Sequence, residues 1–347
     1  MKHLILFLLL LTAISCQNEE QLIDNSITKE LLMISTDSET NALMLIEYPE
    51  NKIISNDIYF ENNSEYLPSP VERFAYYRGL IYLIMPQSRQ IFVIDENTYK
   101  KVGIIDFQLF SIGPLNPKSI CFANATDAYI CHYNSNYISL IDLTNFQVAK
   151  NIDVKKEVYE IACAGNQVYL SNWKDDLVSV LDTRTDSISA TIEVGDVPTF
   201  IDFTKDGTKA YVVCTGEGKI DSLPNKTKAT GYLIDVAKRS IIKISEIGSG
   251  NILAIEQIPT GVAITNQNWA FVPTQSCLLR LDTRGTDNRL IVERKEYVST
   301  LFNYRKDKLF VIRKNGAKIE FSNSDPVTGK PGTVYELPQN VKSVLPL

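Results

Sequence analysis

The chain has 347 residues, of which 44% are hydrophobic, so it is long and apolar enough to bury a large core. Its formal net charge of −6 argues against a nucleic-acid partner, because phosphate binding needs a basic face. Only two histidines are present, His3 and His132, so His-based acid–base catalysis and catalytic zinc sites have few candidate residues.

The first predicted segment is an export signal. Lys2 precedes the apolar run Leu4–Leu11, which is too short to span a bilayer as a mature helix. Ala13–Ser15 and then Cys16 resemble a lipobox, in which the cysteine is lipidated and becomes the new N-terminus. The alternative is an ordinary secretory signal that is cut nearby. The next residues, Gln17–Glu20, resemble the acidic tag that sends lipoproteins of Bacteroidota to the outer face of the outer membrane, although a plain polar tether is the alternative.

The rest of the chain is built from one unit that recurs. In each copy a strand ends in an apolar residue plus an acid, and a turn and another strand follow, at intervals of roughly 40 to 50 residues. The recurring acids are Glu47, Asp95, Asp142, Asp182, Asp235, Asp282 and Glu320. An Asp at a strand end caps the following turn through its side chain, so we expect the five Asp residues of this set to be capping residues and not catalytic ones.

The fourth copy predicts four short strands most clearly. They are Val158–Ala162, Gln167–Ser171, Leu177–Leu181 and Ser187–Val194, with Gly, Asn and Asp turns between them. No segment has a long helical period. The pattern predicts an all-β fold, a seven-bladed β-propeller with four-stranded blades.

The two ends of the body predict how the ring closes. The first copy, Leu31–Tyr59, has only three strands, and the last segment, Val341–Leu347, is an apolar strand without a blade. We expect the C-terminal strand to close blade one. The predicted division is a lipoprotein signal peptide at residues 1–15, a lipidated tether at 16–29 and the propeller at 30–347.

Five cysteines follow Cys16, and an odd number cannot form a complete set of disulfides. Cys121 and Cys131 flank a predicted hairpin turn, so a disulfide between them is one possibility. The alternative is that all five are small buried hydrophobic residues.

Residues 158–213 resemble the YVTN-type propeller repeat of secreted and surface-layer proteins. The matching segments are Gln167–Asn172, Val178–Thr183, Ala190–Gly195, Pro198 and Phe203–Val213. This resemblance implies the propeller fold and leaves the function open, because propellers host many unrelated activities.

Blades one and two also resemble those of Bacteroidota surface lipoproteins that partner TonB-dependent outer-membrane transporters, some of which capture corrinoids such as vitamin B12. The matching segments are Asn41–Tyr48, Ile54–Phe60, Gly79–Ile84 and Gln90–Lys101. The resemblance implies a lipid-anchored location at the outer-membrane surface, a transporter as partner and nutrient uptake as the role.

Candidate ligand-binding residues lie in the turns after the second strand of three blades, which crowd the mouth of a propeller channel. They are Trp173, Asn172, Lys174, Tyr133, Asn134, Gln87 and Arg89. A rigid aromatic ring with flanking amides suits a flat ligand with polar edges. The alternative is ordinary surface-turn chemistry. Trp269 lies in a strand-like run and is expected in the core.

Three functions remain open at this stage. Capture of a small nutrient without catalysis is favoured, with no catalytic residue, cofactor or metal expected. A protein-interaction scaffold of the cell envelope and a lactonase-like hydrolase are the alternatives. The insertion Gly216–Thr230 is predicted to be either a lid or docking finger, or a solvated loop. His132 is expected to be a structural polar residue at a strand end.

Overall fold

A computed structural model describes residues 30–36, 41–108, 113, 115–216, 227–247, 258–285, 289–338 and 340–347. Cys16, the signal peptide, the tether and most of the 216–230 insertion lie outside the described residues. The described part folds into seven four-stranded antiparallel sheets, which confirms the all-β seven-bladed propeller.

The strands of blades 1 to 4 follow in chain order. Blade 1 has β1 (Glu30–Thr36), β2 (Leu43–Tyr48) and β3 (Lys52–Ser55). Blade 2 has β4 (Arg73–Tyr77), β5 (Leu80–Met85), β6 (Gln90–Asp95) and β7 (Lys101–Asp106). Blade 3 has β8 (Pro117–Phe122), β9 (Asp127–His132), β10 (Tyr137–Asp142) and β11 (Gln147–Asp153). Blade 4 has β12 (Glu160–Ala164), β13 (Gln167–Asn172), β14 (Leu177–Asp182) and β15 (Ser187–Glu193).

The remaining blades have the same order. Blade 5 has β16 (Pro198–Phe203), β17 (Lys209–Cys214), β18 (Thr230–Asp235) and β19 (Ser240–Glu246). Blade 6 has β20 (Ala263–Ile264), β21 (Trp269–Pro273), β22 (Leu278–Asp282) and β23 (Arg289–Glu293). Blade 7 has β24 (Tyr297–Asn303), β25 (Lys308–Asn315), β26 (Lys318–Ser324) and β27 (Pro331–Glu336). The C-terminal strand is β28 (Val341–Pro346).

The ring closes through the C-terminal strand, as the sequence predicted. β28 pairs antiparallel with β1, placing Leu32 opposite Pro346 and Ile34 opposite Val344, and supplies the innermost strand of blade 1. The Asn303 side chain at the end of β24 donates to the Pro346 carbonyl (3.5 Å). Blade 7 therefore contacts the C-terminal strand that completes blade 1.

Hydrophobic packing lies between blades, because each sheet is covered on both faces by its neighbours. Separate buried clusters join each successive pair of blades, and one of them packs Leu32 and Tyr48 of blade 1 against Phe310 and Phe321 of blade 7. The second strands are buried on both faces: Ile81 to Met85 of β5 are all fully buried. Trp269 is 7% exposed and lies in this packing, as expected.

The five recurring Asp residues cap turns, which confirms their predicted role. The Asp95 carboxylate, for example, accepts hydrogen bonds from the backbone N–H groups of Asn97 (3.1 Å) and Thr98 (2.9 Å). Equivalent bonds are made at the other four positions, Asp142, Asp182, Asp235 and Asp282.

One short helix interrupts the β architecture in the described residues. Helix α1 (Ile58–Asn63) follows β3, so the first copy ends its strands at Ser55 and not at Tyr59. Asp57 is the N-cap, and its side chain accepts from the backbone N–H of Phe60 (3.1 Å). No helix among the described residues is long and apolar enough to cross a membrane.

The cysteine pairing corrects the expectation from the hairpin. Cys121 forms a disulfide with Cys163, not with Cys131. In the β8–β9 hairpin Cys121 lies opposite Tyr129, and Cys131 lies opposite Ser119. The disulfide therefore joins the inner strands β8 and β12 of neighbouring blades. Cys131, Cys214 and Cys277 are free and buried.

Candidate functional site

A central cavity of about 490 Å³ is enclosed mainly by the innermost strands of all seven blades. Its walls combine apolar side chains such as Phe74, Ile120 and Phe200 with a few charged ones. This volume lies within the range of about 300–1,000 Å³ that is usual for small-molecule sites. The cavity is therefore large enough for a ligand.

The turns after the second strands lie beside the starts of the inner strands, at one end of this cavity. The Tyr133 N–H donates to the Asn116 carbonyl (2.9 Å), just before β8. The Val158 N–H, just before β12, donates to the Ser135 carbonyl (3.2 Å). We call this end, at blades 2 to 4, the channel mouth.

Two charged side chains cross the mouth. Arg73 opens β4 of blade 2, and its Nη1 donates to both carboxylate oxygens of Glu160, which opens β12 of blade 4 (2.9 and 2.8 Å). Both residues line the cavity. The Glu160 carboxylate raises the pKa of Arg73 above its usual range, so the guanidinium group stays charged.

A buried lysine lies next to this pair. Lys118 is the second residue of β8 in blade 3 and is 8% exposed. Its Nζ lies 3.0 Å from the centroid of the Tyr159 ring and 5.2 Å from that of Tyr133, so two aromatic rings contact the cation. Burial lowers the pKa of Lys118 to about 8, so it is mostly protonated at neutral pH. We call Arg73, Lys118 and Glu160 the mouth cluster.

Aromatic rings continue outward from Lys118. The Tyr159 ring packs edge-on against Trp173 and Phe200, with centroid distances of 6.3 and 6.0 Å. Trp173 is partly buried, and the Nζ of Lys174 lies 5.0 Å from its ring centroid. Lys174 is also held by Glu157 (2.8 Å). The mouth therefore has a rigid aromatic wall on the side of blades 3 and 4.

Three of the residues predicted from the sequence, Trp173, Lys174 and Tyr133, lie at the mouth, where Lys118 and Tyr159 connect Tyr133 to Trp173. Tyr133 is 38% exposed, and its hydroxyl donates to the Glu72 carboxylate (3.3 Å). Asn134 is exposed beside it, in the left-handed region with φ 50°.

The other predicted residues have different surroundings. Asn172 is fully buried, and its side chain accepts from the Ser179 hydroxyl (2.6 Å) and donates to the Glu157 carbonyl (3.3 Å). It therefore supports the turn that carries Trp173. Gln87 and Arg89 are exposed on the turn of blade 2, and neither lines the cavity.

His132 occupies the same strand position in blade 3 as Asn172 does in blade 4, and it is fully buried. Because the Ser139 hydroxyl donates to Asn151 (2.7 Å), it accepts from the His132 Nε2–H (2.8 Å). Burial lowers the pKa of His132 to about 3, so the ring is neutral. These contacts agree with the structural role expected for this residue.

Sequence reasoning missed the charged and aromatic residues that begin the inner strands: Arg73, Lys118, Tyr159 and Glu160. The sequence analysis places its candidates in the turns after the second strands, whereas these residues lie at the starts of the inner strands. A single charge within an otherwise apolar strand, as in Pro117–Phe122 or Val158–Ala162, was the available signal. An inner strand can hold such a residue because one face looks into the channel.

The opposite end of the channel holds one carboxylate. Asp202, on β16, lines the cavity and accepts from the backbone N–H groups of Ile264 (2.7 Å) and Phe203 (2.8 Å). Burial raises the pKa of Asp202 to about 7. The Tyr304 hydroxyl donates to the Ile264 carbonyl (3.1 Å), so these bonds tie blades 5, 6 and 7 together. Among the described residues, no group of three or more His, Cys, Asp or Glu side chains could hold a metal ion.

Comparisons with known proteins identify a family and a fold. Residues 37–223 match the family described as Domain of unknown function (DUF5074). No curated protein is significantly similar in sequence.

Solved structures resemble the propeller as a whole. The periplasmic gluconolactonase PpgL of Pseudomonas aeruginosa is 10% identical, with 92% of this chain and 99% of that chain covered and a TM-score of 0.66. The hydrazine synthase of Kuenenia stuttgartiensis is 15% identical over 71% of this chain and 73% of that chain (TM-score 0.57). The β-propeller domain of Cps50 (Swd1) from Myceliophteria thermophila is 14% identical over 76% and 86% (TM-score 0.55). At these identities the likeness establishes the fold alone.

Proposed function

The chain belongs to the DUF5074 family, and from the geometry of its channel we propose that it captures a small planar ligand at the mouth without converting it. One observation carries this proposal: Tyr133 and Tyr159 contact Lys118, and Trp173 packs on Tyr159, next to the Arg73–Glu160 pair that lines a cavity of about 490 Å³. Aromatic walls with a few fixed polar groups are the usual composition of a small-molecule site.

The cellular setting of this proposal is a lipid anchor at Cys16 and a place at the outer-membrane surface. The lipobox-like Ala13–Cys16 and the acidic residues after it support this setting. The Cys121–Cys163 disulfide also supports export, because disulfides persist in oxidising compartments. The partner proposed from the resemblance of blades 1 and 2 is a TonB-dependent transporter, and corrinoids are one candidate ligand class.

The binding proposal is tested with the soluble body from Gln17 onward. We expect calorimetric titration with a panel of corrinoids and other scarce nutrients to give at least one saturable ligand. Trp173→Ala should then lower the affinity for that ligand by roughly tenfold or more, because stacked aromatic contacts each contribute about 1–3 kcal/mol to binding. The matched control is Tyr66→Ala, which removes an exposed aromatic residue that stacks on Phe60 at helix α1 and should leave affinity unchanged.

Two further measurements separate capture from other functions. Silence across the panel, together with stoichiometric recovery of an outer-membrane protein in pull-downs, would replace capture by a scaffold role. Chelator-sensitive turnover in a panel of lactones would replace it by hydrolysis. The anchor is tested separately by palmitate labelling, which Cys16→Ser should abolish and Cys277→Ser, at a buried position, should not.

A further inference from the structure

We propose that the captured ligand carries an anionic group, a carboxylate or a phosphate, which binds the ammonium group of Lys118. This inference rests on the ligand capture proposed above and adds the chemical class of the ligand. It starts from a buried ammonium group that no carboxylate of the described residues contacts directly.

Lys118 differs from the other lysines around the mouth. The half-buried Lys156 and the exposed Lys174 are each paired with a carboxylate, Asp175 at 2.5 Å and Glu157 at 2.8 Å. Lys118 is 8% exposed, yet within the described parts of the chain it has neither a hydrogen bond nor an ion pair. Burying a cation is costly unless a partner replaces its water, and the two ring contacts replace that water only in part.

The acids near Lys118 have other partners. Both oxygens of Glu160 accept from Arg73, and the Glu72 carboxylate accepts from the Tyr133 hydroxyl (3.3 Å). Cys131 lies close enough to influence Lys118, but burial raises the pKa of its thiol to about 12, so it carries no charge at neutral pH. The segment 109–114, which precedes β8, contains no acidic residue. The position beside the ammonium group therefore suits an anion from outside the protein.

The surroundings of Lys118 also define the rest of the ligand. Tyr159 contacts both the ammonium group and Trp173, so a planar body can lie along the aromatic wall while its acid reaches Lys118. Arg73 lies near enough for its charge to act on Lys118, and it adds a second positive group at the same edge. Planar aromatic acids fit this arrangement better than neutral rings of the same size.

The experiment uses three naphthalene probes of matched size: 2-naphthoate, 2-naphthyl phosphate and the neutral 2-naphthamide. Their affinities for the soluble body are measured by calorimetry and by quenching of tryptophan fluorescence at neutral pH. We expect at least one anionic probe to bind tenfold or more tightly than 2-naphthamide. The stronger of the two anions identifies the acid as carboxylate or phosphate.

Two variants assign that preference. Lys118→Met keeps an unbranched apolar side chain and removes the charge. The ratio of the affinity for the anionic probe to the affinity for 2-naphthamide should therefore fall to about one. Lys205→Met changes an exposed lysine on the turn between β16 and β17 and should keep the full preference. Circular dichroism and thermal unfolding check that both variants fold. Should Lys118→Met not fold, the preference of the wild type is measured against salt, where rising salt should weaken the anions and spare the amide.

Each remaining outcome counts against the inference. Equal affinity of the wild type for all three probes would overturn the anionic group and leave ligand capture standing. A preference that survives in Lys118→Met would assign the anion to other residues. If no probe binds, the anion inference fails, and ligand capture fails with it only if the nutrient panel is also silent.

Discussion

Two charge clusters lie on opposite sides of the ring, and they balance their charges differently. The mouth cluster, Arg73, Lys118 and Glu160, contains one cation with no carboxylate partner in the described part of the chain. The second, which we call the latch cluster, joins blades 6 and 7. Its Arg313 binds Glu320 through Nε (2.8 Å) and Glu293 through Nη1 (2.9 Å).

The difference separates a structural site from a candidate binding site. In the latch cluster the Tyr297 hydroxyl also donates to Glu293 (2.6 Å), and Asn315 donates to Glu320 (2.6 Å), so hydrogen bonds surround the charges. In the mouth cluster, Lys118 instead contacts aromatic rings, while Arg73 and Glu160 line the cavity. Full pairing holds two blades together, whereas incomplete pairing beside a cavity leaves a position for a ligand.

The largest expected effect comes from breaking the latch cluster. Arg313 is only 7% exposed at its side chain, so Arg313→Met would remove the buried cation that Glu293 and Glu320 share and leave Glu293 with the more exposed Lys295 alone. We expect the free energy of unfolding to fall by about 3 kcal/mol, since removing one partner of a buried ion pair leaves an uncompensated charge. Chemical denaturation measures this loss.

The latch variant should not affect the mouth. Affinity for the preferred naphthalene probe should stay within twofold of the wild type in Arg313→Met. The paired variant Lys314→Met, which breaks the exposed pair with Glu296, should cost less than about 1 kcal/mol. Similar losses in the two variants would contradict a special role for the latch cluster.

The next largest effect concerns the disulfide, which supports the mouth and has no counterpart in the latch cluster. Cys121 and Cys163 lie on the two inner strands that carry Lys118 and Glu160. Their separation of 42 residues predicts that the bond contributes about 2–4 kcal/mol through the unfolded chain.

The double variant Cys121→Ser/Cys163→Ser should therefore unfold at a lower temperature than the wild type. A reducing agent should lower the unfolding temperature of the wild type to the same value. Cys214→Ser removes a buried free thiol, so a reducing agent should lower its unfolding temperature by the same amount as that of the wild type. A wild type that unfolds at the same temperature with and without reductant would show that the disulfide does not stabilise the fold.

A smaller effect is expected from Glu160→Gln, which makes the mouth cluster more positive. The amide keeps one acceptor for Arg73, so the fold should persist. Because one negative charge beside Lys118 is lost, the affinity for 2-naphthoate should rise by about tenfold, or about 1.4 kcal/mol. Calorimetry compares it with Glu320→Gln, the same substitution in the latch cluster. Unchanged affinity in Glu160→Gln would mean that the anion does not reach this cluster.

The sequence could predict the ring but not its charges. Alternating strands, capping Asp residues and an unassigned last strand are local patterns, and the structure confirms each of them. The Arg73–Glu160 pair joins residues 87 positions apart, and no local pattern records which inner strands face each other. Trp173 was accessible to sequence reasoning because it lies in a turn, whereas Lys118 lies inside a strand.

The cysteine pairing shows the same limit on a smaller scale. The hairpin made Cys121 and Cys131 plausible partners, but its register pairs Cys121 with Tyr129 and Cys131 with Ser119. Pairing across two blades then became available to Cys163, a contact that a single hairpin cannot predict.

The smallest effect is expected at Asp202, whose carboxylate accepts hydrogen bonds from the backbone N–H groups of Ile264 and Phe203. Asp202 has a folded pKa raised by burial to about 7, against about 3.9 in an unfolded chain. Between these values the folded state binds more protons than the unfolded state, so the free energy of unfolding falls as the pH rises through this window and is level on either side. Asp202→Asn cannot ionise, and its stability relative to the wild type should rise by on the order of 1 kcal/mol between pH 5 and pH 8.

Asp142→Asn provides the matched control for Asp202→Asn, because a bond from Thr144 lowers the pKa of Asp142. Its stabilising contribution is present above the unfolded pKa and is lost only in more acidic solution, so its difference from the wild type should be constant between pH 5 and pH 8. Thermal unfolding across this range distinguishes the two variants. Parallel profiles would mean that Asp202 is ionised throughout, and the channel end at blades 5 to 7 would then hold a full negative charge, in contrast to the mouth.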